Sequence, residues 1–167
     1  MSQTVTAVQA PAPLGRLDGH TNFVTLEYLV ENGVTVNYGD FVKYGGTVGV
    51  TNSSMTGDAR PLGMALGTVT GDGSTKTVLV CIDPMMTYLI KSSTTAFTAA
   101  NRGSYFDLAN ANQISNSAST TTGAFILLYL ASDTVPNVIN GAGLQGVNTA
   151  SYGVFKLVES ALNPLGS

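Results

Sequence analysis

Hydrophobic residues in this chain fall into short runs in which apolar and polar positions alternate. The first clear run covers residues 23–30, where Val24, Leu26, Tyr28 and Val30 are spaced two apart. A spacing of two places these side chains on one face of a β-strand. The run therefore predicts a strand with one apolar face, preceded by a segment without apolar periodicity.

Turn residues separate this run from those that follow. The pair at 32–33, Asn-Gly, favours a tight turn, and Gly-Asp at 39–40 and Gly-Gly at 45–46 interrupt the next two runs. Turn residues that recur about every 8–12 positions are typical of a β-sandwich or a β-barrel. We expect an all-β fold, a compact β-barrel or sandwich of about ten short strands.

Longer apolar runs predict the strands of the core. Residues 76–82 are nearly apolar on both faces, so we expect a strand that is buried on both sides and ends at Pro84. The glycines within 60–69 indicate a bent strand or a close backbone approach. Further strands are predicted at 87–91, 124–130 and 153–159, and helical turns without a clear period at 94–102 and 135–141.

The chain divides into an N-terminal segment and one domain. Residues 1–22 are rich in Ala, Pro, Gln, Thr and Gly and have no apolar period, and Pro11 and Pro13 favour extended backbone. We interpret them as an extended N-terminal arm, which either orders against a neighbouring chain or stays a tail. Residues 23–167 form the β-rich domain, with long loops at 115–123 and 133–152. Loops of such length are usually functional or disordered.

Composition narrows the function classes. The 167 residues carry a net charge of −3, only 10% are charged, and 44% are hydrophobic. Seven Lys and Arg residues without a cluster do not suit nucleic-acid binding or a basic membrane-surface helix. The beginning of the chain lacks the basic and apolar regions of a signal peptide, so we expect synthesis in a cytoplasm. Apolar character on both strand faces, with so little charge, favours association with other subunits.

The sequence offers little for catalysis. It contains one histidine, His20 in the predicted arm, and one cysteine, Cys81, which we expect to be a buried strand residue. Most aspartates stand beside Gly, Pro or other turn residues, where their carboxylates accept backbone hydrogen bonds. Metal-ligand and phosphate-loop spacings are absent from the sequence. We predict no enzyme activity, no catalytic residues, no cofactor and no metal site.

Three stretches carry a resemblance to a known family. They are Val34-x-Val36-x-x-Gly39-Asp40-Phe41-Val42, then Gly45-Gly46-x-Val48-Gly49-Val50, and then Pro61-Leu62-Gly63-Met64-Ala65 with Thr77-Val78-Leu79-Val80. The chain resembles the capsid decoration (cement) proteins of tailed bacteriophages over roughly residues 26–90, and more loosely beyond them. The resemblance implies a virion protein without catalytic residues, located on the capsid exterior. Its partners would be the major capsid protein and further copies of itself, as a trimer or alternatively a dimer, and not nucleic acid or a membrane.

On this hypothesis the chain binds the outer surface of an assembled phage head and bridges its subunits. Two alternatives remain, another virion module such as a tail or fibre component, and a small sugar-binding or hydrolytic β domain. The predicted capsid or intersubunit contacts lie in the arm, at a methionine pair and in the second long loop. They are Pro11, Pro13, Leu14, Arg16, Met85, Met86, Asn140 and Leu144.

Overall fold

The structure, a computed structural model, describes residues 11–46, 48–52, 60–119, 122–131 and 151–158. Within these ranges the chain forms fourteen β-strands and a 3-10 turn, so the expected all-β class is confirmed with more and shorter strands. The elements are β1 (Ala12–Arg16), β2 (Thr25–Leu29), β3 (Thr35–Val36), β4 (Phe41–Tyr44), β5 (Val50–Thr51), β6 (Gly63–Ala65), β7 (Val69–Thr70), β8 (Thr77–Cys81), β9 (Met86–Ser92), the 3-10 turn (Ala99–Asn101), β10 (Tyr105–Phe106), β11 (Leu108–Asn110), β12 (Gln113–Ile114), β13 (Phe125–Leu130) and β14 (Tyr152–Leu157).

The larger sheet is built around β9. Its strand order is β10-β13-β14-β9-β12-β11, and β1 also pairs with β9. Strand β14 runs antiparallel to β9, whereas β1 pairs with the first half of β9 and β12 pairs in parallel with its end. Because neighbours flank it along most of its length, β9 is buried without interruption from Met86 to Ile90.

The smaller sheet curls into a nearly closed barrel. Its order is β2-β8-β6-β4-β5, and the short pair β3-β7 lies apart from it. A parallel bridge between Val30 and Val50 connects the residue after β2 with β5, the opposite end of the sheet. The barrel is therefore closed at the end of β2 that lies near Val30, while most of β2 remains an edge strand.

Three clusters of buried side chains hold these layers together. The main cluster lies between the two sheets, where the Phe41 ring packs edge-on against Tyr88 and Phe125, with ring centroids 5.3 and 4.8 Å apart. A second cluster, rich in valine, fills the small barrel. A third comprises Leu89, Ala131, Tyr152 and Val154 of the large sheet. Alternation explains the layering, since Phe41 belongs to the first cluster and its neighbour Val42 to the second.

The strand expected to be buried on both faces is buried on one face and on only part of the other. In β8, Val78 and Val80 point into the small barrel and Cys81 into the main core, but Thr77 and Leu79 are exposed. Leu79 shares a face with Cys81 because the two are two residues apart. The prediction of double burial is therefore wrong for β8, since the large sheet covers only the Cys81 end of this face. Strand β9, in contrast, is buried on both sides from Met86 to Ile90.

The N-terminal segment and the two long loops are described in part. Residues 1–10 lie outside the described residues, and residues 12–16, which we expected in the arm, form β1 within the large sheet. In the loop predicted at 115–123, Ser119 forms an antiparallel bridge with Tyr105. The loop predicted at 133–152 and the helical turn at 135–141 lie outside the described residues up to residue 150. The turn predicted at 94–102 contains the observed Ala99–Asn101.

Candidate functional site

The structure brings together the predicted contact residues of the N-terminal segment and the methionine pair. Strand β1 pairs with β9 so that Arg16 lies opposite Met86 and Pro13 opposite Tyr88. The next residue, Leu17, donates its backbone N–H to the carbonyl of Met85 at 3.0 Å. The Gly15 carbonyl accepts a hydrogen bond from the Thr87 hydroxyl at 2.7 Å. Residues of the predicted arm and of the methionine pair are therefore neighbours within one chain.

Asp83 fastens this segment to the domain. Its side chain is buried, forms a salt bridge with the Arg16 guanidinium, and accepts a hydrogen bond from the backbone N–H of Val24 at 3.1 Å. Its other oxygen accepts the N–H of Met85 at 2.8 Å and thereby closes a turn between β8 and β9. One carboxylate thus holds β1, the start of β2 and the β8–β9 connection in place.

Arg16 bonds to two carboxylates of its own chain. Besides Asp83, the guanidinium donates to both oxygens of Asp18. The hydrogen bond with Asp18, with a further contribution from Asp83, raises the pKa of Arg16, and the bond with Arg16 lowers the pKa of Asp18. The guanidinium that we expected to contact a partner is therefore used inside the chain, because two acids converge on it.

The other predicted contact residues fall into three groups. Met86 is 1% exposed and belongs to the main core, because alternation along β9 turns it inward with Tyr88 and Ile90. It therefore cannot contact a partner at the surface. Pro11 is buried, while Pro13, Leu14 and Met85 are half-buried, and Leu14 packs against the third cluster. Asn140 and Leu144 lie outside the described residues.

Strand β2 presents an apolar surface that the sequence reasoning assigned to the core. Tyr28 and Leu26 face the same side as Val78 and Val80, as the period of two predicts. Yet Leu26 is 47% exposed, Val24 49% and Phe23 39%, and Leu79 on the adjacent strand is 41% exposed. An edge position was not recognisable from the run itself, because strong alternation looks the same in an edge strand and in a central one.

The backbone of β2 is open on one side. The Val24 carbonyl accepts the N–H of Ile82 at 3.0 Å, and the Val30 N–H donates to the carbonyl of Lys76 at 2.9 Å. Because bonds alternate along an antiparallel pair, the even-numbered residues face β8 and the N–H and C=O groups of Thr25 and Glu27 point away from it. Among the described residues, no strand pairs with this side of β2 from Thr25 to Leu29. We call this side, with the exposed side chains of Phe23, Val24 and Leu26, the β2 edge.

The structure places Cys81 and His20 in different surroundings. Cys81 is buried, burial raises the pKa of its thiol, and the Tyr88 hydroxyl donates to its sulfur at 3.6 Å, so the expectation of a buried strand cysteine is confirmed. His20 is exposed in the stretch between β1 and β2.

The aspartates form turns and cross-links in separate places. Asp72 accepts the N–H groups of three following residues, and Asp40 accepts amide hydrogens from three asparagines, Asn37, Asn52 and Asn112. Asp107 accepts the N–H of Ala124 at 3.0 Å. The predicted role in turns is confirmed for Asp72 and for Asp83, while Asp58 and Asp133 lie outside the described residues.

Two kinds of specialised feature are absent from the described ranges. No three His, Cys, Asp or Glu side chains there are grouped closely enough to hold a metal ion. None of the helical segments there has the length and apolarity needed to cross a membrane.

Comparison with known proteins finds no family model that matches this sequence, and neither a curated protein nor a solved structure that matches it.

Proposed function

We propose that this chain is a viral structural protein, a capsid decoration protein that binds the outer surface of an assembled phage head. In this role it bridges neighbouring subunits of the major capsid protein and adds contact area that must be broken before the shell can come apart. It acts without a cofactor and catalyses no reaction. It resides on the capsid exterior after synthesis in the host cytoplasm.

The β2 edge is the observation that carries this proposal. The apolar residues Phe23, Val24 and Leu26 are each more than one third exposed, next to backbone groups with which no described strand pairs. Such an edge is a ready template for another polypeptide, and monomeric proteins usually cover or charge it. A surface with this character suits a protein whose work is to adhere to other chains, further copies of itself among them.

The low charge of the chain points in the same direction. Only 10% of the residues are charged, and the three buried or half-buried acids described above are each neutralised or hydrogen-bonded within the chain. A binding surface with few charges loses little free energy to desolvation when a partner covers it. Many identical copies on a symmetric shell then turn modest individual affinity into a tight coat through multivalency.

A pelleting assay tests the proposal. Purified full-length chain is incubated with purified heads and, in parallel, with purified tails of the phage whose genome encodes it, and bound chain is measured after sedimentation. We expect saturable binding to heads only. Binding to tails only would favour the alternative of a tail or fibre module, and binding to neither would contradict a virion role.

A test of whether the N-terminal segment contacts the shell has to remove fewer residues than the predicted arm of residues 1–22. Removing residues 1–22 would delete β1 and the salt-bridge partner of Asp83, so lost binding would report misfolding. Removing residues 2–10 leaves β1 intact. If these residues contact the shell, the shortened chain binds heads more weakly while its unfolding temperature stays unchanged, and equal binding would remove them from the contact surface.

A further inference from the structure

We propose that two copies of this chain associate through their β2 edges, strand against strand and antiparallel, with Leu26 of one copy opposite Leu26 of the other. The result is a two-fold dimer in which the small barrels share one continuous sheet. This inference does not rest on the proposed function, because it uses only the edge itself.

The backbone fixes which registers can form. Thr25 and Glu27 direct their N–H and C=O groups outward, so a second β2 must pair through these odd-numbered residues. A two-fold axis then passes through one residue of β2. Beyond Leu29 the strand is already engaged, since Val30 bridges Val50 and the N–H of Glu31 donates to the Val50 carbonyl at 3.1 Å. Axes at Tyr28 or later are therefore blocked by β5.

Charge selects among the registers that remain. An axis at Glu27 places the two Glu27 carboxylates directly opposite each other, where like charges repel. An axis at Leu26 places Glu27 opposite Thr25 of the second copy, whose hydroxyl can donate to the carboxylate. This register also brings Val24 opposite Tyr28 of the second copy, twice by symmetry, on either side of the Leu26 pair.

The exposed side chains fit this second copy better than a polar partner. Leu26 and Val24 are each about half exposed in the single chain, and the Leu26 axis covers both with apolar groups. An axis at Thr25 pairs Val24 with Leu26 but places Tyr28 opposite the polar Asn22 and Phe23 opposite Glu27. The Leu26 axis is thus the register that pairs every apolar side chain of residues 24–28 with another.

Two variants test the pairing by the mass of the particle in solution. Wild-type chain at about 100 μM, a concentration suited to a small interface, is expected to sediment as a dimer. Glu27→Pro removes an N–H that points away from β8, so the fold is kept while two intermolecular hydrogen bonds are lost, and we expect dimer affinity to fall roughly thirtyfold. Glu27→Gln is the matched control, which keeps the N–H and leaves the dimer in place. A monomeric or trimeric wild type would overturn the proposal, as would a Glu27→Pro dimer of unchanged affinity.

A cross-linking pair tests the register and does not depend on the proline variant folding. Opposed residues that share no hydrogen bond lie about 4.5 Å apart at Cα, within the range of a disulfide, so Leu26→Cys is expected to form a covalent dimer under mild oxidation. In the same register the two Glu27 residues lie roughly 8 Å apart, so Glu27→Cys should not cross-link. The wild type, whose Cys81 is buried, serves as the blank.

Cross-linking through Glu27→Cys and not Leu26→Cys would overturn the register. If deleting residues 2–10 abolished the dimer, that segment and not a second β2 would be what occupies the β2 edge. This result would overturn the pairing.

Discussion

The guanidinium of Arg16 forms a salt bridge with the buried carboxylate of Asp83, 67 residues later in the chain. This pair holds β1 against the domain at the point where β8 turns into β9. Arg16 is 17% exposed at its side chain and Asp83 is fully covered, so the ion pair lies at the end of the half-buried strand β1. It makes the N-terminal segment from residue 12 part of the fold.

Removing Asp83 should therefore loosen the N-terminal segment. We expect Asp83→Ala to lower the free energy of unfolding by about 3 kcal/mol, because the Arg16 charge and two backbone N–H groups lose a buried acceptor. Urea unfolding followed by circular dichroism measures the change. Asp18→Ala is the control, since it removes an exposed carboxylate from the same guanidinium and should cost far less. An equal loss in both variants would show that burial of Asp83 is not the cause.

Asp72 should give the fold a measurable sensitivity to acid. The hydroxyl of Thr75 and the N–H groups of Thr75, Ser74 and Lys76 donate to its carboxylate and lower its pKa below the ordinary value of 3.8. A carboxyl whose pKa is lower in the folded state stabilises the fold above its unfolded pKa, and this contribution disappears as the pH falls towards the folded pKa. The unfolding temperature of Asp72→Asn should therefore fall less than that of wild type as the pH drops below 3.8.

Thermal unfolding at pH 7 and at acidic values of pH provides this comparison. The wild-type unfolding temperature should fall further than that of Asp72→Asn, which keeps an acceptor oxygen but carries no charge. Parallel curves for the two proteins would assign the acid sensitivity to other carboxylates.

Gly63 should tolerate no side chain. A Cβ atom at this position would lie 1.9 Å from the carbonyl oxygen of Cys81, which is backbone of the paired strand β8 and cannot move aside. We expect Gly63→Ala to destabilise the protein by at least about 2 kcal/mol through separation of β6 from β8. Gly67→Ala is the control, since nothing lies within 4 Å of its Cβ and the change should be within about 0.5 kcal/mol. Equal unfolding midpoints would contradict the close approach.

Asp40 should connect the two sheets. It is 3% exposed, and it accepts the backbone N–H of Asn37 at 2.9 Å and the side-chain amides of Asn52 at 2.7 Å and Asn112 at 3.3 Å. Asp40→Ala leaves these donors without their acceptor, and we expect a loss of about 2 kcal/mol in urea unfolding. Asn112→Ala removes one long bond only and should cost much less. Should Asn112→Ala prove as damaging, the asparagine and not the acid would be the connecting residue.

The all-β class, the strands of the core and the role of the turn aspartates could be predicted from the sequence. Local alternation and turn residues encode these features, as the runs that became β9, β13 and β14 show. Cys81 was predicted as a buried strand residue for the same reason. The bent strand at 60–69 was indicated by its glycines, and Gly63 indeed lies against the Cys81 carbonyl.

The surface around β2 could not be predicted, because exposure of Leu26 and Leu79 depends on which strands lie at the edge of a sheet. Strand order is set by contacts between segments far apart in the chain, and no local pattern records it. The same limit explains Met86, whose partner Arg16 lies 70 positions earlier, counted from residue 16 to residue 86. Met86 faces the main core together with Tyr88 and Ile90, so a predicted contact residue became a core one.

The heat stability of phage heads, with and without the added chain, tests most directly whether this protein strengthens a shell. Heads lacking the chain are heated with increasing amounts of it, and release of DNA is followed by dye fluorescence. The rupture temperature should rise with occupancy and level off when the binding sites are full. A rupture temperature that stays the same while the chain is present in excess would contradict the role of capsid decoration.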